Sequence, residues 1–289
     1  MQVFVKYGLF IPLGIPLALD HLQFALLVFT TLSIAAAGYI INDSYDVEID
    51  AINKPNKLII GKKISDKNAT RLYILLNILG VSTGFYLSNS IGKPGFAAFF
   101  IITSALLFMY SSYLKGLLLI GNIVISLLVS LSILIVGVFD IIPTIVVEHM
   151  VMQRSALKVV VHFGVFAFLI NFIREIVKDI QDINGDKNGG MNTLPIEIGR
   201  ARATTTVFGL TVLITIIVVS YMYMYLYSNQ MLVVYFLLLI VGPLFYFCIR
   251  SWTAETAKDY SFLSLFLKII MFLGMCSILL YPSLILNNA

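Results

Sequence analysis

"LLLIGNIVISLLVSLSILIVGVF" runs from Leu117 to Phe139 and holds no charged side chain in 23 residues. About 20 apolar residues in a helix are enough to cross a hydrocarbon core. Backbone groups in lipid must bond within the protein, so only helices and closed barrels span, and the length of this run selects a helix. Similar runs lie on both sides, giving spans near residues 2–19, 22–41, 70–88, 95–113, 117–139, 159–176, 204–227, 231–250 and 262–286. The expected fold class is all-α: a polytopic membrane protein of about nine transmembrane helices, with residues 1–289 forming a single domain. The first span is expected to be short and kinked. Only thirteen uncharged residues separate Lys6 from the end of the run at Leu19, and Pro12 and Pro16 interrupt them.

Composition supports this. The chain has 289 residues, 60% hydrophobic and 12% charged, with a mean hydropathy of +0.97. A soluble domain carries about 25% charged residues. Cys248 and Cys276, the only cysteines, both sit in apolar runs, which excludes a disulfide framework or a zinc spacing. No cleavable signal peptide and no nucleic-acid partner are expected; the lipid bilayer is.

The charges that remain are unevenly placed. With nine spans, the loops after the second, fourth, sixth and eighth hold 14 of the 19 basic residues, while the opposite loops hold Lys93, Arg154 and Lys158. Basic residues mark the cytoplasmic side, so the even-numbered loops are expected there, in a multi-pass protein of the cell (inner) membrane. Ten of the fifteen acids lie in two of these same loops. An ordinary solubilising loop needs no such concentration.

The first acidic stretch is "YIINDSYDVEIDAINKP". Asn42, Asp46 and Asp50 recur at i, i+4 and i+8, which puts them on one stripe if the second helix continues, with Asp43 at its edge and Glu48 pointing away. The second is "REIVKDIQDINGDKNGGMNTLP", Arg174 to Pro195. Asn171, Glu175, Lys178, Asp182 and Asp186 share one helical face there, flanked by Asp179 and Arg174, and Gly185 or the Gly189-Gly190 pair is expected to end the helix. Aligned carboxylates repel unless a cation lies among them. Hard oxygen ligands suit Mg²⁺, which takes one or two carboxylates plus phosphate oxygens. Two such clusters on one face suit a diphosphate held through bridging Mg²⁺, with basic side chains on the remaining oxygens. A calcium loop starting at Asp182 fails, because Lys187 stands where glycine is needed and Thr193 where glutamate is.

At these residues the chain resembles the UbiA-type intramembrane prenyltransferase superfamily. That family carries N-D-x-x-D-x-x-x-D after its second helix, matched by Asn42, Asp43, Asp46 and Asp50, and D-x-x-x-D after its sixth, matched by Asp182 and Asp186. The two stretches are most similar to the geranylgeranylglycerol-phosphate geranylgeranyltransferase branch. "YSSYLKGLLLIGN", Tyr110 to Asn122, also resembles the family's fourth loop. The family's Arg-x-x-Asn-like element on helix one has no match here, which implies either a start placed late, with in-frame upstream codons for an apolar segment bearing a basic residue and Asn, or a truncated copy with a stop codon just upstream of Met1.

The resemblance implies transfer of a prenyl group from an allylic diphosphate donor to a lipid-soluble acceptor. Together with the stripes it places Mg²⁺ on Asp46, Asp50, Asp182 and Asp186. Substrate contacts fall to Asn42, Tyr110, Lys115, Arg174 and Lys178, and catalytic acids to Asp43, Asp46, Asp179 and Asp182. The acceptor is a hydroxyl in the glycerol-ether branch and an aromatic carbon in quinone or haem branches, and its proton could pass to Asp43, Asp179 or Glu175. Lys54, Lys57, Lys62 and Lys63 are the cations available for an acceptor phosphate. An anion transporter is the rival reading, but transporters place charge near the midplane on broken helices, whereas these acids sit at helix ends. A purely structural membrane protein would not need the doubled acidic motif.

Overall fold

The computed structural model describes residues 1–56 and 58–287, apart from the side chain of Asn287. Lys57 therefore lies outside the described residues. Among these, every regular element is helical, and β pairing is limited to an isolated bridge between Ile60 and Ile64.

Eight helical segments are long and apolar enough to cross a membrane: His21–Tyr45, Asp66–Ser90, Pro94–Ser112, Ile120–Thr144, Val147–Asn188, Arg200–Leu226, Gln230–Trp252 and Ala257–Leu286. They match eight of the nine expected spans. The first expected span differs. Its helix α1 (Gln2–Val5) continues as a π turn, Lys6–Phe10. At 1.5 Å per residue it reaches only about 14 Å, half of a hydrocarbon core. Large apolar side chains such as Leu32, Ile78, Phe85, Leu238 and Phe272 are exposed on the outer surface. In water they would form a sticky patch; in lipid they are solvated.

Local sequence explains the element ends. Helix α2 (His21–Tyr45) starts at Asp20, which accepts from the Gln23 backbone N–H at 2.7 Å while Gln23 accepts from Asp20 N–H at 3.1 Å. A short helix α3 (Val47–Asn53) follows α2 after one non-helical residue, Asp46, at φ −94° and ψ 4°. The expected continuous stripe is thus broken at its central acid. Helices α4 (Asp66–Ser90) and α5 (Ala97–Ser112) form a hairpin beside α2, and Gly84 of α4 makes room for the Phe100 ring of α5. Helix α6 (Ile120–Asp140) pairs with α7 (Met150–Asn188). The sequence reading put this sixth crossing at 159–176 and ended its helical continuation at Gly185 or the Gly189-Gly190 pair; the helix starts earlier, at Met150, and stops at the second of these glycine positions. The helix is 39 residues long because its polar second half continues the helical pattern until Gly189, with Gly190 at φ +69°. Helices α8 (Leu194–Ile198), α9 (Arg200–Tyr221), α10 (Gln230–Phe236), α11 (Gly242–Trp252), α12 (Ala257–Cys276) and α13 (Tyr281–Asn287) complete the bundle.

The short first helix is held by a buried charge pair. Lys6 Nζ lies 3.0 Å from Asp140 Oδ1 at the end of α6, and also donates to the Leu19 carbonyl at 2.7 Å. Leu19 N–H in turn donates to Asp140 at 3.1 Å. Neither charged side chain reaches solvent. Removing one partner of such a pair leaves an unpaired buried charge, which costs about 3–5 kcal/mol. We therefore expect Asp140→Ala to lower stability by about that amount in a denaturant titration. Lys6→Met with Asp140→Leu should recover only part of the loss, because the Leu19 backbone groups stay unpaired.

Candidate active site

The ends of α2, α3 and α7 meet on one face of the bundle, and the loop between α5 and α6 joins them there. Asn53, the last residue of α3, ties the two acidic segments together. Its amide nitrogen donates to the Asp182 carbonyl at 2.9 Å, and its oxygen accepts from Gly185 N–H at 2.9 Å. A side chain at residue 185 would collide with this amide, so the glycine is required by close approach rather than as a helix stop. Asn53 was missed in the sequence. It follows Asp46 and Asp50 at i+7 and i+3, so extending the acidic stripe by one more turn would have found it.

Cations sit among the carboxylates. Lys54 Nζ lies 2.6 Å from Asp182 Oδ2 and 3.8 Å from Asp50 Oδ1, linking the first motif to the second. Lys115, in the short turn after α5, pairs with Asp46. Lys54 is thus withdrawn from the lysine group expected to meet an acceptor phosphate. Lys62 donates to the Pro55 carbonyl at 2.8 Å. Burial pushes the Asp50 carboxyl above its ordinary value; Asp46 and Asp182 add to this and Lys54 opposes it.

Among the described residues, no three His, Cys, Asp or Glu side chains are already gathered around one point for a metal ion. The groups around this point nevertheless fit a hard divalent cation. Asn42 Nδ2 donates to Asp46 at 2.7 Å, which leaves Asn42 Oδ1 buried with no hydrogen-bond partner. Asp186 is a buried residue in the field of Asp182 and Asp46, and among the described residues its carboxylate makes no hydrogen bond or ion pair. A buried acceptor without a partner is costly unless a cation completes it, and a carboxylate in the field of two others is relieved by the same cation. Every donor in this set is oxygen, the preference of Mg²⁺.

Beside the acids opens a cavity of about 300 Å³ between α2, α5, α6 and α7. Asn42, Tyr110, Asn171, Arg174, Glu175 and Lys178 line its polar end, and side chains such as Ile34, Phe100, Leu107, Ile125 and Ile135 line its body. Glu175 holds both cations of the mouth, accepting from Arg174 at 2.8 Å and from Lys178 at 2.8 Å. Arg174 Nε is buried and unpaired, so a donor remains for a ligand oxygen. Asp179 lies one step aside, accepting from Asn122 of α6 at 2.7 Å. Asp43 is exposed and forms no hydrogen bond or ion pair among the described residues, though it shares the field of Asp46, Asp50, Lys54 and Lys115. The structure therefore gathers Asn42, Asp46, Asp50, Lys115, Asp182 and Asp186 at one rim, and Tyr110, Arg174 and Lys178 in the adjoining cavity.

Residues 4–275 match the sequence profile described as the UbiA prenyltransferase family. A digeranylgeranylglyceryl phosphate synthase of Korarchaeum cryptofilum is 32% identical over 252 residues, covering 85% of this chain and 81% of that one. Two solved structures share the fold. A UbiA homologue from Aeropyrum pernix is similar at a TM-score of 0.70 and 12% identity, over 96% of each chain. A UbiA homologue from Archaeoglobus fulgidus, bound to DMAPP and Mg²⁺, is similar at a TM-score of 0.54 and 15% identity, over 94% of each chain.

If Asn53 sets the spacing of the two motifs, Asn53→Ala should cost about 1–3 kcal/mol in thermal denaturation, the range for lost buried hydrogen bonds. It should also weaken divalent-cation binding in a calorimetric titration. Wild-type affinity in a folded Asn53→Ala protein would remove Asn53 from the site.

Proposed function

Because this integral-membrane chain belongs to the UbiA prenyltransferase family, we propose that it transfers a geranylgeranyl group from its diphosphate to the hydroxyl of geranylgeranylglycerol phosphate. The observation that carries this reading is the meeting of two acid-bearing helix ends at the polar mouth of an apolar cavity. The relative's name supplies the substrate class, and the Archaeoglobus homologue's bound ions supply a precedent for Mg²⁺.

In this reading Asn42, Asp46 and Asp50 on one side, and Asp182 and Asp186 on the other, hold Mg²⁺. When bound, the metal draws negative charge from the diphosphate and so promotes departure of that group. Lys54 and Lys115 exchange their carboxylates for phosphate oxygens, and Arg174 and Lys178 reach the same group from the cavity mouth. The apolar body of the cavity keeps water from the allylic cation, and Tyr39, Phe100 and Tyr110 in its lining supply aromatic rings of the kind that stabilise a cation. The acceptor oxygen attacks carbon, the C–O bond to diphosphate breaks, and the hydroxyl proton leaves to a carboxylate. Glu175 is committed to two cations, which leaves Asp43 and Asp179 as the free acids for that proton. The aromatic-acceptor reading is weaker because three further lysines, Lys57, Lys62 and Lys63, follow the first motif, and a neutral ring acceptor does not need them.

We further place the acidic face in the cytoplasm of the cell membrane, from the basic-residue asymmetry. A cysteine placed at Asn188 should resist an impermeant thiol reagent added outside intact cells, and labelling there would reverse the orientation.

Radiolabelled geranylgeranyl diphosphate, offered with a glycerol-phosphate ether and with a quinone precursor, should label the ether. Label in the quinone precursor alone would defeat the reading. Asp46→Ala and Asp182→Ala should each lower Mg²⁺-dependent turnover on the order of 10²–10³-fold, the scale for losing a group that stabilises transition-state charge. Wild-type turnover of both at limiting Mg²⁺ would sink the metal assignment. Replacing Lys62 and Lys63 with Gln should raise the acceptor KM more than the donor KM; equal KM values for wild type and variant would remove these lysines from acceptor recognition.

A further inference from the structure

On the face opposite the acidic motifs lies a second cavity, of about 220 Å³, between the first turns of α7, the end of α9 and α13. Its polar lining is Ser155, Lys158, His162, Tyr221, Tyr225 and Tyr281, and no carboxylate lines it. Neither the prenyl-transfer chemistry nor the diphosphate site uses these residues.

Three features point to an anion. First, Lys158 is exposed and its ammonium lies 4.5 Å from the centre of the Tyr225 ring, with no ion-pair partner among the described residues. A ring face positions a cation without neutralising it. Second, the π turn Met222–Leu226 brings Tyr221 and Tyr225 to the same side, where the His162 ring lies 5.1 Å from each of theirs. Third, the hydroxyls of Tyr221 and Tyr281 share a hydrogen bond of 2.8 Å in a buried setting. Two hydroxyls carry two protons, and a single bond between them uses one. The other proton has no acceptor among the described residues. The cavity therefore offers an ammonium, an imidazole with one N–H donor beside its acceptor nitrogen, and a hydroxyl proton, and the charged group of its lining is a cation.

Its depth fixes the ligand class. Tyr223 and Tyr227, on the same stretch, are largely exposed, as expected of an aromatic belt at the level of lipid headgroups. We propose that this cavity binds a phosphate group, a tetrahedral oxyanion matched to convergent donors, at the membrane interface opposite the active site. The phosphate comes either from the headgroup of an anionic lipid or from free phosphate in solution. The site does not depend on the prenyl-transfer reading and stands or falls apart from it.

The test is the thermal denaturation midpoint of the full-length protein in dodecyl maltoside, with dioleoyl phosphatidate, dioleoyl phosphatidylcholine or inorganic phosphate added. A ligand that binds only the folded state raises the midpoint according to its concentration over Kd. Phosphatidate should raise it and phosphatidylcholine should not. Lys158→Gln, at an exposed position that tolerates substitution, should lose at least half of the rise. Tyr281→Phe should lose a smaller part, and Lys93→Gln, a cation outside the cavity, should lose none. An equal rise with inorganic phosphate, also lost in Lys158→Gln, supports the site and assigns its ligand to free phosphate. A rise with phosphatidate alone assigns it to lipid. No rise with either phosphate source, or an undiminished rise in Lys158→Gln, overturns the proposal.

Discussion

Everything at the active face depends on how carboxylates from two helix ends are kept close. Asp46 and Asp50 come from one segment, Asp182 and Asp186 from another, and like charges at this separation repel. In the structure the repulsion is relieved by two ammonium groups, Lys54 between Asp50 and Asp182, and Lys115 on Asp46. Asn53 then fixes the distance through backbone atoms of α7, which no change of ionic conditions removes. In the function proposed above, the lysines hold places that a divalent cation would take, and once displaced they would be available to phosphate oxygens.

The membrane imposes the remaining constraints. Eight crossing helices shed their charges into the ends, so a polar site can form only at the rim, where water supplies ions and diphosphate. The reactive carbon chain must lie deeper, in a compartment without water. The cavity beside the acids has this arrangement, with a polar mouth and an apolar body. Close helix packing builds its wall, as at Gly84, which admits Phe100. The long α7 spans both regions. Its stretch 159–173 holds no charged residue, and the part that follows carries Arg174, Glu175, Lys178, Asp179, Asp182 and Asp186 to the rim.

Much of this was legible in the sequence because membrane helices obey strong, local rules. Apolar run length exposed the crossings, and the 3.6-residue period placed Asn171, Glu175, Lys178, Asp182 and Asp186 on one face. The spacing of Asn42, Asp46 and Asp50 survived even though the helix breaks at Asp46, because α3 resumes after a single residue. What was illegible depends on partners far apart in the chain. Lys6 reads as a defect in a span until Asp140, 134 residues away, is seen beside it. Lys54 reads as one more basic residue of a loop until α7 brings Asp182 to it. Asn53 carries no charge and matches no motif; its place one turn beyond Asp50 on the acidic stripe is the one sign of it in the sequence, and its two bonds across the site are not legible there.

The central claim is that Lys54 and a divalent cation compete for the same carboxylates. Mn²⁺, a spectroscopic substitute for Mg²⁺, can be titrated into the full-length protein and followed by electron paramagnetic resonance, without any substrate. Removing an ammonium from a site rich in carboxylates leaves it more negative and its oxygens free. The account therefore predicts that Lys54→Met binds Mn²⁺ about tenfold more tightly than wild type, the effect of roughly 1.4 kcal/mol of relieved competition. Unchanged or weaker Mn²⁺ binding in Lys54→Met would contradict it.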